Sequence, residues 1–178
     1  MKPNKAKLVK ATYDFLVALG EDPARDGIRE TPERVAKMWA DDFNGGLPNM
    51  KTFDCSTYDE MVVVKEIPFY SFCEHHLVPF FGTAKIGYLP KRKVVGLSKL
   101  ARLLDYYAHR PQIQEQLTQQ VASDLMKLLK PHGVGVVLEA EHMCMSMRGV
   151  RKPGHKTVTS CLLGEFKEGK VREEFLSL

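Results

Sequence analysis

Nowhere in its 178 residues does the chain carry an apolar run approaching the roughly 20 residues that a membrane-spanning helix needs. Charge of one sign is also scarce. The 26 basic and 22 acidic residues leave a net +4 and are mixed along the sequence, so there is no polybasic tail of the kind that coats nucleic acid. A basic pocket for a small anion stays open. There is no internal repeat and no low-complexity segment. The opening MKPNKAKLVKATYDFLVALG sets lysines before apolar residues, but Asp14 and the spacing of Leu8, Phe15 and Leu19 read as an amphipathic helix rather than a secretory leader. Cysteine is limited to four residues. The expectation is a cytoplasmic protein in which those cysteines are thiols or metal ligands.

What is present is an ordinary globular balance, 44% hydrophobic and 27% charged, which argues against disorder. The length suits one domain with a helical appendage, and we expect a helical segment over 1–50 and a main domain over 51–178. One helix is expected over Leu8–Leu19. A second begins at Thr31-Pro32-Glu33, with Thr31 as cap, and ends in Asn44-Gly45-Gly46. Strands are expected at Met61–Phe72 and Phe80–Leu89, where β-branched and aromatic residues concentrate. Leu97, Leu100, Leu104 and Tyr107 then recur at helical spacing, and so do Ile113, Leu117, Val121, Leu125 and Leu128 after Pro111. Strands return at Val134–Met145 and Thr157–Phe166, with a short helix at Arg172–Leu176. The order β-β-α-α-β-β implies an α+β fold, an antiparallel sheet with two helices on one face.

Two segments carry metal-ligand chemistry. SFCEHHLVPF places Cys73 and His76 two residues apart, a spacing that lets one turn offer a thiolate and an imidazole to one ion. In VGVVLEAEHMCM, a period of two puts His142 and Cys144 on the face that carries Val134, Val136, Leu138 and Ala140. Two buried cysteines with histidines at a sheet edge would give the same pattern. Four protein ligands would close the tetrahedron and make a zinc site structural, whereas three leave a position for water and make it catalytic. Spacing does not decide between them.

Other candidates have bland counterparts. Ser98, Lys99 and Arg102 open a helix, with Ser98 as cap, and fit either an anion site or a solvated helix start. Glu115 complements a helix dipole or, with the Gln114 amide, reads the N–H edge of a guanine-like ring. Arg148, Arg151, Lys152, His155 and Lys156 form a basic loop that is either solvated surface or, through Arg148, a phosphate contact near the metal face.

Taken together, SFCEHHLVPF, GLSKLAR, RPQIQEQLTQQ and HMCMSMRG, with RETPERVAKMW before them and REEFL after, resemble the GTP cyclohydrolase I family over nearly the whole chain. The resemblance implies a T-fold and the zinc-dependent conversion of GTP to 7,8-dihydroneopterin triphosphate and formate. It implies Cys73, His76 and Cys144 as zinc ligands, with the fourth position left to water, and His75 and His142 as acid/base groups. It further implies Gln114 and Glu115 as guanine contacts, Ser98, Lys99, Arg102 and Arg148 as triphosphate contacts, and Arg34 and Lys37 as cations from a neighbouring subunit. It also implies a homodecamer with active sites at subunit interfaces. Another T-fold enzyme acting on a purine or pterin, or a non-catalytic zinc-stabilised RNA-binding protein, are the alternatives.

Overall fold

The computed structural model describes residues 3–43 and 46–178. The chain divides into two compact units, Met1–Gly46 and Leu47–Leu178. In the first, Asn4 caps α1 (Lys5–Ala18) by accepting a hydrogen bond from the Lys7 N–H. Helix α2 (Thr31–Lys37) continues into a π-helical turn over Met38–Asp42, and Lys5 reaches Asp41 at 2.9 Å. Thr31 is not the expected cap. Glu30 occupies the capping position without a side-chain bond, while Pro32 sits in the first turn, where its missing N–H is not needed. Of the expected terminator, Asn44 and Gly45 lie outside the described residues.

The second unit follows the expected order with additions. After β1 (Thr52–Asp54) come β2 (Val62–Cys73), β3 (Pro79–Leu89), β4 (Lys93–Val95), α3 (Ser98–Ala108), β5 (Pro111–Gln112) and α4 (Gln114–Leu129). β6 (Gly133–His142), the single turn α5 (Met143–Ser146), β7 (Thr157–Gly164) and α6 (Gly169–Ser177) complete it. Five strands form one sheet in the order β5-β2-β3-β6-β7, antiparallel except for the two-residue β5, which runs parallel to the end of β2. β1 and β4, absent from the sequence expectation, form a separate small ribbon. Pro111 belongs to β5 rather than to the helix it was expected to open, and α4 starts at Gln114.

Period-two alternation places one face of this sheet under the helices. Phe80, Ala84, Ile86 and Tyr88 of β3 lie beside Val134, Val136, Leu138 and Ala140 of β6. On β2, Val62 and Val64 give way to Ile67, Phe69, Ser71 and Cys73 past a register shift in which Glu66 takes φ 56°. Leu100, Leu103, Leu104 and Ala108 of α3 and Leu117, Val121, Ala122 and Leu125 of α4 join these strands in one cluster. Each such leucine or isoleucine contributes roughly 1.5–3 kcal/mol relative to exposure, so packing rather than intrinsic propensity holds both helices down.

The opposite face is covered at one end by the C-terminal segment. Phe166 and Phe175 pack edge-to-face with centroids 5.1 Å apart over Gly135, where a Cβ would lie 2.5 Å from the Phe166 ring. Lys85 donates to the Phe175 carbonyl at 2.8 Å and so ties down the end of α6.

Candidate metal centre

β2 ends and β3 begins across a tight turn. The Cys73 N–H donates to the Val78 carbonyl and the Leu77 N–H to the Cys73 carbonyl, with Leu77 at φ 53°. This turn carries Cys73, buried at the base, and His76, exposed at the rim. The Glu74 N–H donates to the Gln112 carbonyl, so β5 draws the start of α4 to the same place. β6 arrives alongside, with His142 paired to Phe80.

Cys144 departs from expectation. β6 stops at His142, and Cys144 lies on the helical turn α5 instead of continuing the alternation. The outcome is still convergence: the donor atoms of Cys73, His76 and Cys144 all lie within 4.8 Å of one another. His76 Nδ1 is 3.8 Å from Cys73 Sγ. Donors about 2.3 and 2.1 Å from one tetrahedral ion stand roughly 3.6 Å apart, so this spacing fits a shared metal. His75 Nδ1 is also close to Cys73 Sγ, at 3.6 Å, but His75 is not a member of the mutual cluster. Burial raises the Cys144 thiol above its ordinary value, the adjacent Cys73 adds to this, and Arg148 opposes. A bound cation reverses that balance by favouring both thiolates.

His142 stacks on Phe80, with the rings 4.6 Å apart and within 2° of parallel. Burial holds its imidazole below the ordinary value, His155 pushes the same way, and Glu115 pulls against both. Glu115 is exposed in the first turn of α4 and near enough to exert that influence. The sequence makes Gln114 a candidate reader of a base through its amide. In the structure that amide is buried and bonded within the protein, to Leu138, Thr157, Thr159 and His142.

Two further residues went unnoticed in the sequence. Glu141 accepts from the Ser146 hydroxyl and the Gly154 N–H, fixing α5 and the far side of the basic loop together. Its carboxyl is held below the usual range by those same two bonds. The only sequence signal was its position between the apolar Ala140 and His142, where a carboxylate reads as ordinary outward-facing polarity. Thr159, on the core face of β7, was likewise hidden in a polar alternation.

The cations divide. Arg148 lies at the centre, its Nη1 2.8 Å from His76 Nε2. Ser98 and Lys99 sit at the other end of the sheet, with Arg102 one turn further along the helix: the start of α3 follows β4, whose Val95 N–H donates to the Tyr88 hydroxyl at 3.0 Å. The end of α3 is the part near the centre, since Ser71 donates to the Ala108 carbonyl. The whole helix, about 15 Å, separates the two. Among the described residues no hydrogen bond or ion pair joins Ser98, Lys99 or Arg102 to the cysteines. Ser98 makes no capping bond either; it is the first helical residue, with Leu97 in the capping position. Arg34, in the N-terminal unit, is paired with Glu30 at 2.6 Å. Lys37 ends α2 in that same unit.

The sheet with its helix pair and a two-cysteine, one-histidine cluster at one end define a T-fold protein with a candidate three-donor metal centre. The crystal structure of the archaeosine synthase QueF-Like in the apo form shares the fold, with a TM-score of 0.51 at 16% identity over 61% of this chain and 97% of that one. Residues 8–178 match the model of the GTP cyclohydrolase I family. GTP cyclohydrolase 1 of Aquifex aeolicus is 56% identical across all of this chain and 98% of its own length, and that of Hydrogenobaculum 54% identical across 98% and 97%. The counterpart in Streptococcus thermophilus is 53% identical across 98% and 97%. The chain belongs to the GTP cyclohydrolase I family. No helix among the described residues is long and apolar enough to cross a membrane.

Proposed function

We propose that this chain is a zinc-dependent GTP cyclohydrolase I, a hydrolase that opens GTP at purine C8, releases formate and rearranges the product to 7,8-dihydroneopterin triphosphate. The observation that carries the reading is the convergence of Cys73, His76 and Cys144 at the end of the sheet where His142 and Glu115 also lie. When bound there, zinc supplies a Lewis-acidic centre and a hydroxide nucleophile near neutral pH.

The remaining work belongs to the chain. Cys73, His76 and Cys144 hold the ion. The Glu115 carboxylate accepts two N–H groups of the guanine edge and so fixes which ring atom faces the metal. As charge gathers on the purine imidazole nitrogens, His142 supplies a proton there. His75 serves the later proton transfers of ring opening and rearrangement. Arg148 holds a phosphate oxygen, giving up its contact with His76 to do so.

Of the other triphosphate contacts, Ser98, Lys99 and Arg102, the first two stand at the far end of their own sheet, which supports a homo-oligomer whose sites are completed by a neighbouring copy. Arg34 and Lys37 serve the same site from a neighbour. Among the described residues, β7 and most of β2 have unpaired edges along which copies can continue the sheet, consistent with the closed rings and decamer implied by the family. The reaction suits a cytoplasmic enzyme opening folate or tetrahydrobiopterin synthesis.

The test is to incubate the purified zinc-loaded protein with GTP and measure formate and, after oxidation, fluorescent neopterin phosphate. Both products are expected in equal amounts. A zinc-replete protein that releases no formate overturns the reading.

A further inference from the structure

A side-chain amide has two ends with opposite needs, and its surroundings dictate which end goes where. Gln114 is 1% exposed. One end of its amide lies 3.1 Å from the Leu138 carbonyl oxygen and 2.9 Å from that of Thr157. Both are acceptors only, so this end is the NH2 group. The nearby hydroxyls agree. Thr118 donates to the Gln114 backbone carbonyl at 2.7 Å, which uses its proton. Thr159 therefore donates to Thr118 across 2.6 Å and is left to accept from Gln114 Nε2 at 3.1 Å. The other end of the amide, Oε1, can only accept, and it meets His142 Nε2 at 2.7 Å. That nitrogen must carry a proton. The parallel Phe80 ring and the strand pairing of Phe80 with His142 hold the imidazole in this plane.

We propose that Gln114 is a positioning residue: through Oε1 it fixes the His142 ring with its proton on Nε2, leaving Nδ1 as the only nitrogen that exchanges a proton with the substrate. The inference rests on the catalytic reading above and reassigns the Gln114 side chain from base recognition to control of His142. Proton delivery then needs no ring flip. The Nδ1–H bond breaks, an N–H bond forms on the purine, and the positive charge leaves the ring. The neutral tautomer that remains is already the one Gln114 requires, and solvent returns a proton to Nδ1. Because Glu115 follows Gln114 in the first turn of α4, the base anchor and the orientation of the acid are set by one rigid element.

The test combines 15N spectroscopy of histidine-labelled, zinc-loaded protein with steady-state kinetics. In the wild type, neutral His142, assigned by its disappearance in His142→Gln, is expected to show a protonated Nε2 and an unprotonated Nδ1; a proton on Nδ1 overturns the proposal without any Gln114 variant being needed. Gln114→Met keeps the length but loses both polar ends. It is expected to mix the His142 tautomers and lower kcat about 10- to 100-fold, with zinc content intact and KM for GTP within about twofold. Gln114→Glu restores an oxygen facing His142 and is expected to recover part of kcat. A raised KM with unchanged kcat in Gln114→Met returns the amide to base binding and overturns the assignment. If the wild type releases no formate from GTP, the catalytic reading fails, while the tautomer measurement still decides what Gln114 does to His142.

Discussion

β3 and β6 run side by side along the sheet, and their two ends make opposite use of the same pleat. At one end Tyr88 faces Val134 and Val62, and its buried hydroxyl is satisfied by a single backbone N–H, that of Val95. At the other end Phe80 faces His142 and Ser71, and polar atoms accumulate: two thiols, four imidazoles, the Gln114 amide and the Glu141 carboxylate. Helices cover both ends, and both belong to one apolar cluster. The difference lies both in burial, since Tyr88 is fully buried whereas His76 is exposed and Cys144 half-buried, and in how the polar groups are satisfied. The Tyr88 end is closed within the chain. The His142 end is closed only where it positions other groups, at Gln114 and Glu141, while the donors of Cys73, His76 and Cys144 are directed at one another.

Substitutions should separate the two ends sharply. The largest effect is expected for Cys144→Ser, which should abolish both zinc retention and formate release while the apolar cluster remains; metal analysis of the purified variant, beside its turnover, checks this. Next, Glu115→Ala should weaken GTP binding by roughly 10- to 100-fold, the value of a hydrogen-bonded charge, with zinc content unchanged. Equal GTP affinity in titrations of wild type and variant would remove Glu115 as base anchor. For the packing residues of the Tyr88 end the consequences should appear in stability, with zinc retention unchanged. Gly135→Ala drives a methyl into Phe166 and Phe175 and should cost about 1–3 kcal/mol in denaturant unfolding, with the metal content of the wild type. The smallest effect belongs to Tyr88→Phe, which leaves the Val95 N–H unpaired and should cost about 1 kcal/mol in denaturant unfolding, with zinc content unaltered. Loss of zinc from either of these last two variants would mean that the ends are coupled through the sheet.

The same contrast explains what was legible in the sequence. The Tyr88 end follows from periodicity: alternation along β3 and β6 and the helical spacing of Leu117, Val121 and Leu125 identify the buried faces directly. Cys73 and His76 were legible because a short turn is a local object. Cys144 joins the donor cluster by a different route from the expected one, since alternation does not extend past the last residue of β6 into a helical turn that the apolar and sulfur-containing sequence MCMS does not distinguish from a strand. The surroundings of the Gln114 amide were illegible for a different reason. A glutamine at the start of a helix looks like surface polarity or a ligand contact, and the partners of its side chain lie 24 to 45 positions away on β6 and β7. The distance between Lys99 and the cysteines was hidden for the same cause: motif order along a chain says nothing about which end of a sheet each motif occupies.

The extra residue in β2 at Lys65-Glu66 has an outcome out of proportion to its size. In a strand, odd and even positions look in opposite directions, and an insertion of one swaps them for everything downstream. Upstream, Val62 and Val64 point to the helices; downstream, it is the odd-numbered Ile67, Phe69 and Cys73 that do. Were both residues kept but the bulge flattened into regular alternation from the upstream pairing, Phe72 would turn inward and the Cys73 sulfur would point away from the His76 and Cys144 donors. The donor cluster is thus phased by an irregularity seven or eight residues before Cys73, in a stretch that contributes no donor to it.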